Sequence, residues 1–142
     1  DKYLFETQPD ILKALGREFA GHMTDDVTLI AGAELGGVAL AAATAMHTGK
    51  PWIIVRNSKK DYGTSKLVEG VLKAGDVVLP VEDIATTGGQ VLEAAKIITE
   101  AGATVKKIVC VIDRKQGARE NIEGAGYTFE SIITKDDLGI TD

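Results

Sequence analysis

Hydrophobic and polar positions along this chain switch between two periods, one typical of helices and the other of strands. Residues 9–23 carry apolar side chains at helical spacing, and Pro9 suits the first turn. Five short runs rich in β-branched residues have the length and composition of strands: 27–31, 51–56, 75–82, 105–113 and 127–133. Three further helical patterns lie between them, at 38–49, 88–102 and 117–126.

Strands that alternate with helices predict a parallel sheet with helices on both faces. We therefore expect a single α/β domain over residues 1–142, Rossmann-like in layout, with a central sheet of about five parallel strands. Pro80 removes a backbone donor from the third strand, so we expect a bulge there or a place where pairing stops on one side.

The composition is that of an ordinary soluble domain and excludes several classes of protein. With 142 residues, 44% of them hydrophobic, the chain is long enough to bury a core. The net charge of −5 argues against a general attraction to nucleic acid or to an anionic membrane, and we expect neither partner. No apolar stretch is long enough to span a bilayer, and the single Cys110 fits a reducing cytoplasm, where we expect the protein to be located.

The segments with unusual chemistry all follow predicted strands. They are GAELGG (32–37), the polar loop that starts at Arg56, EDIATTGG (82–89), and the pair Asp113 and Arg114. Ligands of open parallel sheets bind at the carboxyl ends of the strands. The positions of these segments therefore predict one binding site at that edge.

The segment VEDIATTGG (81–89) carries the most specific signal in the sequence. Its turn TTGG (86–89) offers hydroxyls and consecutive backbone N–H groups at the start of a predicted helix, which suits a phosphate. Glu82 and Asp83 would repel a phosphate unless they face sugar hydroxyls or Mg²⁺. Together these features predict a site for a phosphorylated ribose. Taken separately, each is more often a plain helix entry or a solvated acidic pair.

Two further candidates are less specific. The loop 56–66 carries Arg56, Lys60 and other cations that suit a pyrophosphate, although most charge runs are solvated surface. Arg114 presents a planar fork that suits a carboxylate, but a surface pair with Asp113 or Glu120 is equally compatible with its spacing.

VVLPVEDIATTGG resembles the phosphoribosyl-pyrophosphate (PRPP) motif of the type I phosphoribosyltransferases. KYLFET, AELGGVALA, VRNSKKDYGTSKLVEG and VIDRKQGARENIEGAG are similar to segments of orotate phosphoribosyltransferases, particularly archaeal-type forms, in register over nearly the whole chain. The resemblance implies a pentosyltransferase that makes orotidine 5′-monophosphate and pyrophosphate from orotate and PRPP in pyrimidine synthesis. It also implies Mg²⁺ held mainly by PRPP, with no direct metal ligand from the protein.

The resemblance assigns roles to individual residues. PRPP would be bound by Glu82, Asp83, Ile84, Ala85, Thr86, Thr87, Gly88 and Gly89. Its pyrophosphate would meet Arg56, Lys60, Tyr62, Glu34 and Leu35, and orotate would meet Thr86 and Arg114. Lys60 falls on the catalytic lysine of the family, and Asp83 is a candidate for proton transfer. The family pattern further implies a homodimer in which the loop 56–66 reaches into the partner's site.

The sequence departs from the family pattern at several places. Asn57 stands where many relatives carry a second basic residue, and Leu35 replaces a lysine that some relatives have. In the family an N-terminal segment covers the base, and by resemblance it would lie just before Asp1, outside this sequence.

Two other functions stay open on the sequence alone. One is transfer to a purine base, and the other is a regulatory domain that senses PRPP without catalysis. Lys60 favours catalysis, because a sensor needs the phosphate turn more than a leaving-group lysine, whereas Asn57 and Leu35 argue weakly for the sensor.

Overall fold

A computed structural model of the protein describes residues 6–56 and 67–139. The helices with stated bounds are α1 (Pro9–Gly21), α2 (Val38–Thr48), α3 (Gly89–Glu100) and α4 (Ala118–Gly124). The strands are β1 (Leu29–Ala33), β2 (Trp52–Val55), β3 (Val68–Glu69), β4 (Val77–Ala85), β5 (Thr104–Val105), β6 (Lys107–Asp113) and β7 (Thr128–Thr134).

The strands form one sheet in the order β3-β2-β1-β4-β6-β7, with β5 also paired to β4. The five longer strands β1, β2, β4, β6 and β7 are mutually parallel. The two-residue β3 is antiparallel to β2, and the two-residue β5 runs parallel to the start of β4. The α/β class and the parallel sheet predicted from the sequence are therefore confirmed, and the two short strands are additions, β3 at one edge and β5 beside the start of the central strand β4.

Pairing on one side of β4 is interrupted beside Pro80. Val78 pairs with Val105 of β5, and pairing resumes where Val81 meets Val109 of β6. Between these points β4 advances three residues and its neighbour advances four, so the neighbour contains a bulge. The β1 side of β4 stays paired through Pro80. Of the two alternatives expected at Pro80, the structure therefore shows the stop of pairing on one side, and the bulge lies in the neighbouring segment instead of in β4.

The helices cover the two faces of the sheet and enclose two apolar clusters. One cluster lies under α1 and α2 and includes Phe19 and Leu40. The other lies under α3 and α4 and includes Ile98 and Ile122. Within the described part of the chain, no helix has both the length and the apolar character needed to cross a membrane.

Candidate functional site

Two buried carboxylates lie side by side near the carboxyl end of the central strand β4. Glu82 is 5% exposed and Asp83 is 3% exposed. The sequence pattern ended this strand at Glu82, but β4 continues through Ala85 because β6 pairs with it as far as Asp113. Since neighbouring residues of a strand point to opposite faces, the two carboxylates leave the sheet in opposite directions.

The Asp83 carboxylate contacts the glycine-rich turn that follows β1. A Cβ added at Gly36 would overlap the carboxylate, with Asp83 Cγ only 2.5 Å away. The same carboxylate accepts a hydrogen bond from the Ile84 backbone N–H at 2.6 Å. Glycine at position 36 is therefore what lets the turn reach β4, and the structure brings together two segments that the sequence predicted separately.

Glu82 lies on the other face, beside Cys110 of β6. The two residues are paired in register, and the Glu82 Oε1 atom accepts from the Asp83 backbone N–H at 3.1 Å. Burial raises the pKa of the Cys110 thiol well above its ordinary value, and the charges of Asp113 and Glu82 raise it further. Cys110 is a core residue, as its place within a predicted strand suggested. The negative charges near it are the carboxylates of Asp113 and Glu82.

The turn TTGG connects β4 to α3 and borders a cavity. Gly88 has φ +83°, a left-handed conformation, and α3 begins at the next residue. The cavity has a volume of about 220 Å³, below the ~300–1,000 Å³ typical of drug-sized ligands. Its lining combines Glu82 with the residues that the resemblance assigned to PRPP from position 84 onward: Ile84, Ala85, Thr86, Thr87, Gly88 and Gly89. Thr86 and Thr87 are exposed, so their hydroxyls are accessible from this cavity.

The turn that carries Glu34 and Leu35 lies beside the end of β2. The Glu34 N–H donates to Val55 O at 3.0 Å, and Leu35 is 68% exposed. Arg56, the next residue after β2, forms an ion pair with Glu69 of β3 at 3.1 Å. These three predicted pyrophosphate residues therefore lie close together at the carboxyl edge of the sheet.

Lys60 and Tyr62 lie outside the described residues, so the roles assigned to them stay predictions. Arg114 directly follows β6, and its backbone N–H donates to Ala85 O at 3.0 Å. This bond places the start of the predicted orotate segment next to the start of the phosphate turn.

The described residues contain no group of three or more His, Cys, Asp or Glu side chains arranged to hold a metal ion. The buried acids and the polar cavity nevertheless suit a ligand that brings its own Mg²⁺, because carboxylates can accept from ribose hydroxyls or from water on the ion.

Sequence reasoning missed two residues that shape this site. The first is Gly36, whose close approach to Asp83 depends on three-dimensional packing. The second is Asn121, whose side chain donates to Thr87 O at 2.8 Å. A glycine pair after a strand hinted at the first, and no local pattern marked the second.

Comparisons with known proteins agree with this geometry. A profile of the phosphoribosyl transferase domain matches residues 5–140. The chain is 46% identical over 138 residues to an orotate phosphoribosyltransferase of Natronomonas pharaonis, covering 97% of this chain and 79% of that protein.

Solved structures of Mycobacterium tuberculosis orotate phosphoribosyltransferase are also similar. The complex with Fe(III) dicitrate has a TM-score of 0.88 at 31% identity and covers 99% of this chain and 82% of that one. The complex with PRPP has a TM-score of 0.85 at 31% identity, with 99% and 83% covered. By sequence and by fold, the chain belongs to the phosphoribosyltransferase family, among the orotate phosphoribosyltransferases.

Proposed function

We propose that this protein transfers the 5-phosphoribosyl group of PRPP to orotate, giving orotidine 5′-monophosphate and pyrophosphate for pyrimidine nucleotide synthesis in the cytoplasm. The observation that carries the proposal is the buried pair Glu82 and Asp83 on a strand that runs directly into the TTGG turn and its cavity. Family membership and the PRPP-bound relative support the same function.

The two acids of β4 bind the ribose ring, and the TTGG turn binds its 5′-phosphate. Carboxylates accept hydrogen bonds from the two ring hydroxyls, while backbone N–H groups and the threonine hydroxyls of residues 86–89 bind the 5′-phosphate. The positive end of α3 adds to the attraction for the phosphate. Because both acids are buried, their side chains are held in place, which helps to orient C1′ for attack.

Transfer breaks the bond between C1′ and a pyrophosphate oxygen, and the electron pair leaves with that oxygen. A bond from the orotate ring nitrogen to C1′ replaces it. Arg56, Lys60, Tyr62 and the backbone of the Glu34–Leu35 turn neutralise the charge that develops on the pyrophosphate. Mg²⁺, held mainly by PRPP, supplies further positive charge to the pyrophosphate.

Orotate is oriented by Arg114 and Thr86. The guanidinium fork of Arg114 matches the orotate carboxylate, and the backbone contact with Ala85 keeps this segment beside the sugar site. Asp83 is positioned on β4 to assist removal of the proton from the attacking nitrogen.

The active form is a homodimer in which the loop 56–66 completes the partner's site. Two features support this arrangement. Arg56, the first residue of this loop, follows β2 and is not among the residues that line the cavity. In addition, α2 exposes 87% of Met46, an apolar surface suited to burial against a second copy.

The direct test is to mix the protein with PRPP, Mg²⁺ and orotate and to follow the loss of orotate absorbance. Lys60→Ala and Arg114→Ala should each reduce turnover by about 10²-fold or more, as loss of one charge-stabilising donor does elsewhere. Lys96→Ala, which removes an exposed lysine from α3, is the matched control and should turn over normally. Tight PRPP binding without orotate turnover would contradict the proposal and favour another base or a sensor.

The dimer is tested by complementation. Lys60→Ala and Asp83→Asn should each be inactive alone, and mixing them should restore part of the activity, because a hybrid dimer contains one intact site. Sedimentation should first show that the two variants exchange subunits. If activity is then not restored, Lys60 and Asp83 of one chain act in the same site.

A further inference from the structure

The phosphate turn is anchored on its outer side by the segment that follows β6. Three consecutive carbonyls accept hydrogen bonds from this segment. The bonds are Arg114 N to Ala85 O at 3.0 Å, Ala118 N to Thr86 O at 3.1 Å, and Asn121 Nδ2 to Thr87 O at 2.8 Å. Of the three donors, only Arg114 is singled out by the sequence, which links it to the base and not to the turn.

These bonds fix the direction of the N–H groups of the turn. In a planar trans peptide the C=O and the N–H that follows it point in opposite directions. When the carbonyls of residues 85–87 point toward α4 and the chain leading to it, the N–H groups of residues 86–88 point away from it. The N–H groups expected to bind the 5′-phosphate are thus oriented by the hydrogen bonds that the carbonyl groups accept on the opposite side of the same peptides.

An apolar contact supports the turn at the next residue. A Cβ added at Gly88 would lie 3.2 Å from the Ile122 side chain, which is fully buried. Asn121 and Ile122 are neighbours on α4, so one short helix holds the carbonyl of Thr87 and closes the space behind Gly88.

We propose that Asn121 is a positioning residue for the 5′-phosphate turn and that it sets the affinity for PRPP without contacting it. Two of the three anchoring bonds come from backbone N–H groups, which every substitution except proline keeps. The third comes from an exposed side chain, so it is the anchor that a substitution can remove. The inference rests on the proposed use of PRPP.

The test compares Asn121→Asp and Asn121→Ala with Glu120→Gln, an exposed neighbour on α4. Asn121→Asp keeps the shape of the side chain but places an acceptor against Thr87 O, whereas Asn121→Ala removes the contact. Loss of one hydrogen bond should weaken PRPP and ribose 5-phosphate by about fivefold in calorimetry, with a larger effect for the aspartate. The KM for PRPP should rise by the same factor, while the KM for orotate and the melting temperature should match those of Glu120→Gln.

The outcomes separate this inference from the proposed function. If the unmodified protein does not bind PRPP, the proposed function fails. If it binds PRPP and both Asn121 variants bind PRPP and ribose 5-phosphate equally well, the positioning role is wrong. The role would also be wrong if the KM for PRPP and the KM for orotate rose by the same factor. A lower melting temperature without weaker binding of PRPP and ribose 5-phosphate would overturn it as well, because Asn121 would then serve the fold alone.

Discussion

The two edges of the sheet place their charged groups in opposite ways. At the amino edge, where the parallel strands begin, charges from different elements pair with one another. At the carboxyl edge, two buried carboxylates accept hydrogen bonds from adjacent backbone N–H groups, and one of them, Glu82, borders a cavity. The contrast predicts that changes at the amino edge affect stability and changes at the carboxyl edge affect chemistry.

The amino edge is held together by a shared carboxylate. Glu130 Oε1 lies 2.6 Å from His22 Nδ1 and 3.1 Å from Lys107 Nζ, and the same lysine donates to His22 O at 2.8 Å. These bonds tie the end of α1 to β6 and β7. A second link joins Thr28 to Asp76 at 2.8 Å, across the starts of β1 and β4.

The largest effect should come from Gly36→Ala at the carboxyl edge. The new methyl group would overlap the Asp83 carboxylate and move it, and a displacement near 1 Å in a catalytic group costs about 10²-fold in rate. Steady-state kinetics should show that loss. Gly21→Ala is the matched control, because nothing lies within 4 Å of its added Cβ. Unchanged activity in Gly36→Ala would mean that Asp83 does not need its present position.

Glu130→Gln should have a moderate effect, confined to stability. The free energy of unfolding at neutral pH should fall by about 0.5–1 kcal/mol, the upper range for a partly exposed pair, while kcat stays unchanged. Urea titration with Glu18→Gln as control measures this difference. A loss of activity without a loss of stability would break the proposed division between the edges.

The pH dependence of the free energy of unfolding should come from carboxylates at the same amino edge of the sheet. The hydrogen bond from His22 holds the pKa of Glu130 below its ordinary 4.5, and the Lys73 backbone N–H, with help from the Thr28 hydroxyl, holds the pKa of Asp76 below 3.8. A depressed carboxylate pKa gives stability that is complete above the ordinary value and is lost as the pH falls through the folded pKa. Unfolding free energy should therefore decline below about pH 4.5, and less steeply in Glu130→Gln. If the free energy of unfolding fell equally steeply with pH in the unmodified protein and in Glu130→Gln, the decline would not come from Glu130.

The smallest effect should come from Asp26→Asn. Asp26 pairs with Lys106 at the amino edge, but both side chains are largely exposed. Exposed pairs are screened by water and salt and contribute little. Thermal unfolding should show no resolvable change, and a clear destabilisation would mean that the amino edge acts as one connected network.

Sequence reasoning reached the fold because each main strand is a short β-branched run bounded by helical patterns. It placed the TTGG turn after the third strand but ended that strand at Glu82, three residues too early, since Asp83 read as the start of a loop. The strand continues because β6 pairs with it beyond Glu82. Propensity is local, whereas this pairing is supplied by residues far along the chain.

The support behind the site was harder to predict. Gly36 and Asn121 act through contacts with segments more than thirty residues away, and neither lies in a pattern that marks such a contact. Arg114 was singled out from its chemistry, because a fork after a strand suits a carboxylate, and its role toward orotate stays a prediction. Candidate chemistry can be read from residue types, whereas packing between distant segments cannot.

The bulge opposite Pro80 makes the site sensitive to chain length. Before it, Val78 and Val105 share the α3 side of the sheet, and after it, Val81 and Val109 share the α2 side. Because of the extra residue in the β5–β6 segment, paired residues of the two strands point to the same face of the sheet on both sides of the bulge, although the strands advance by different numbers of residues. Inserting one more residue into this segment without a further bulge would shift β6 by one residue against β4 and exchange its faces, carrying Asp113 and the approach to Arg114 with it. Such an insertion should therefore be far less tolerated than a substitution in the same segment, whereas a deletion of one residue there would leave both strands advancing by three residues.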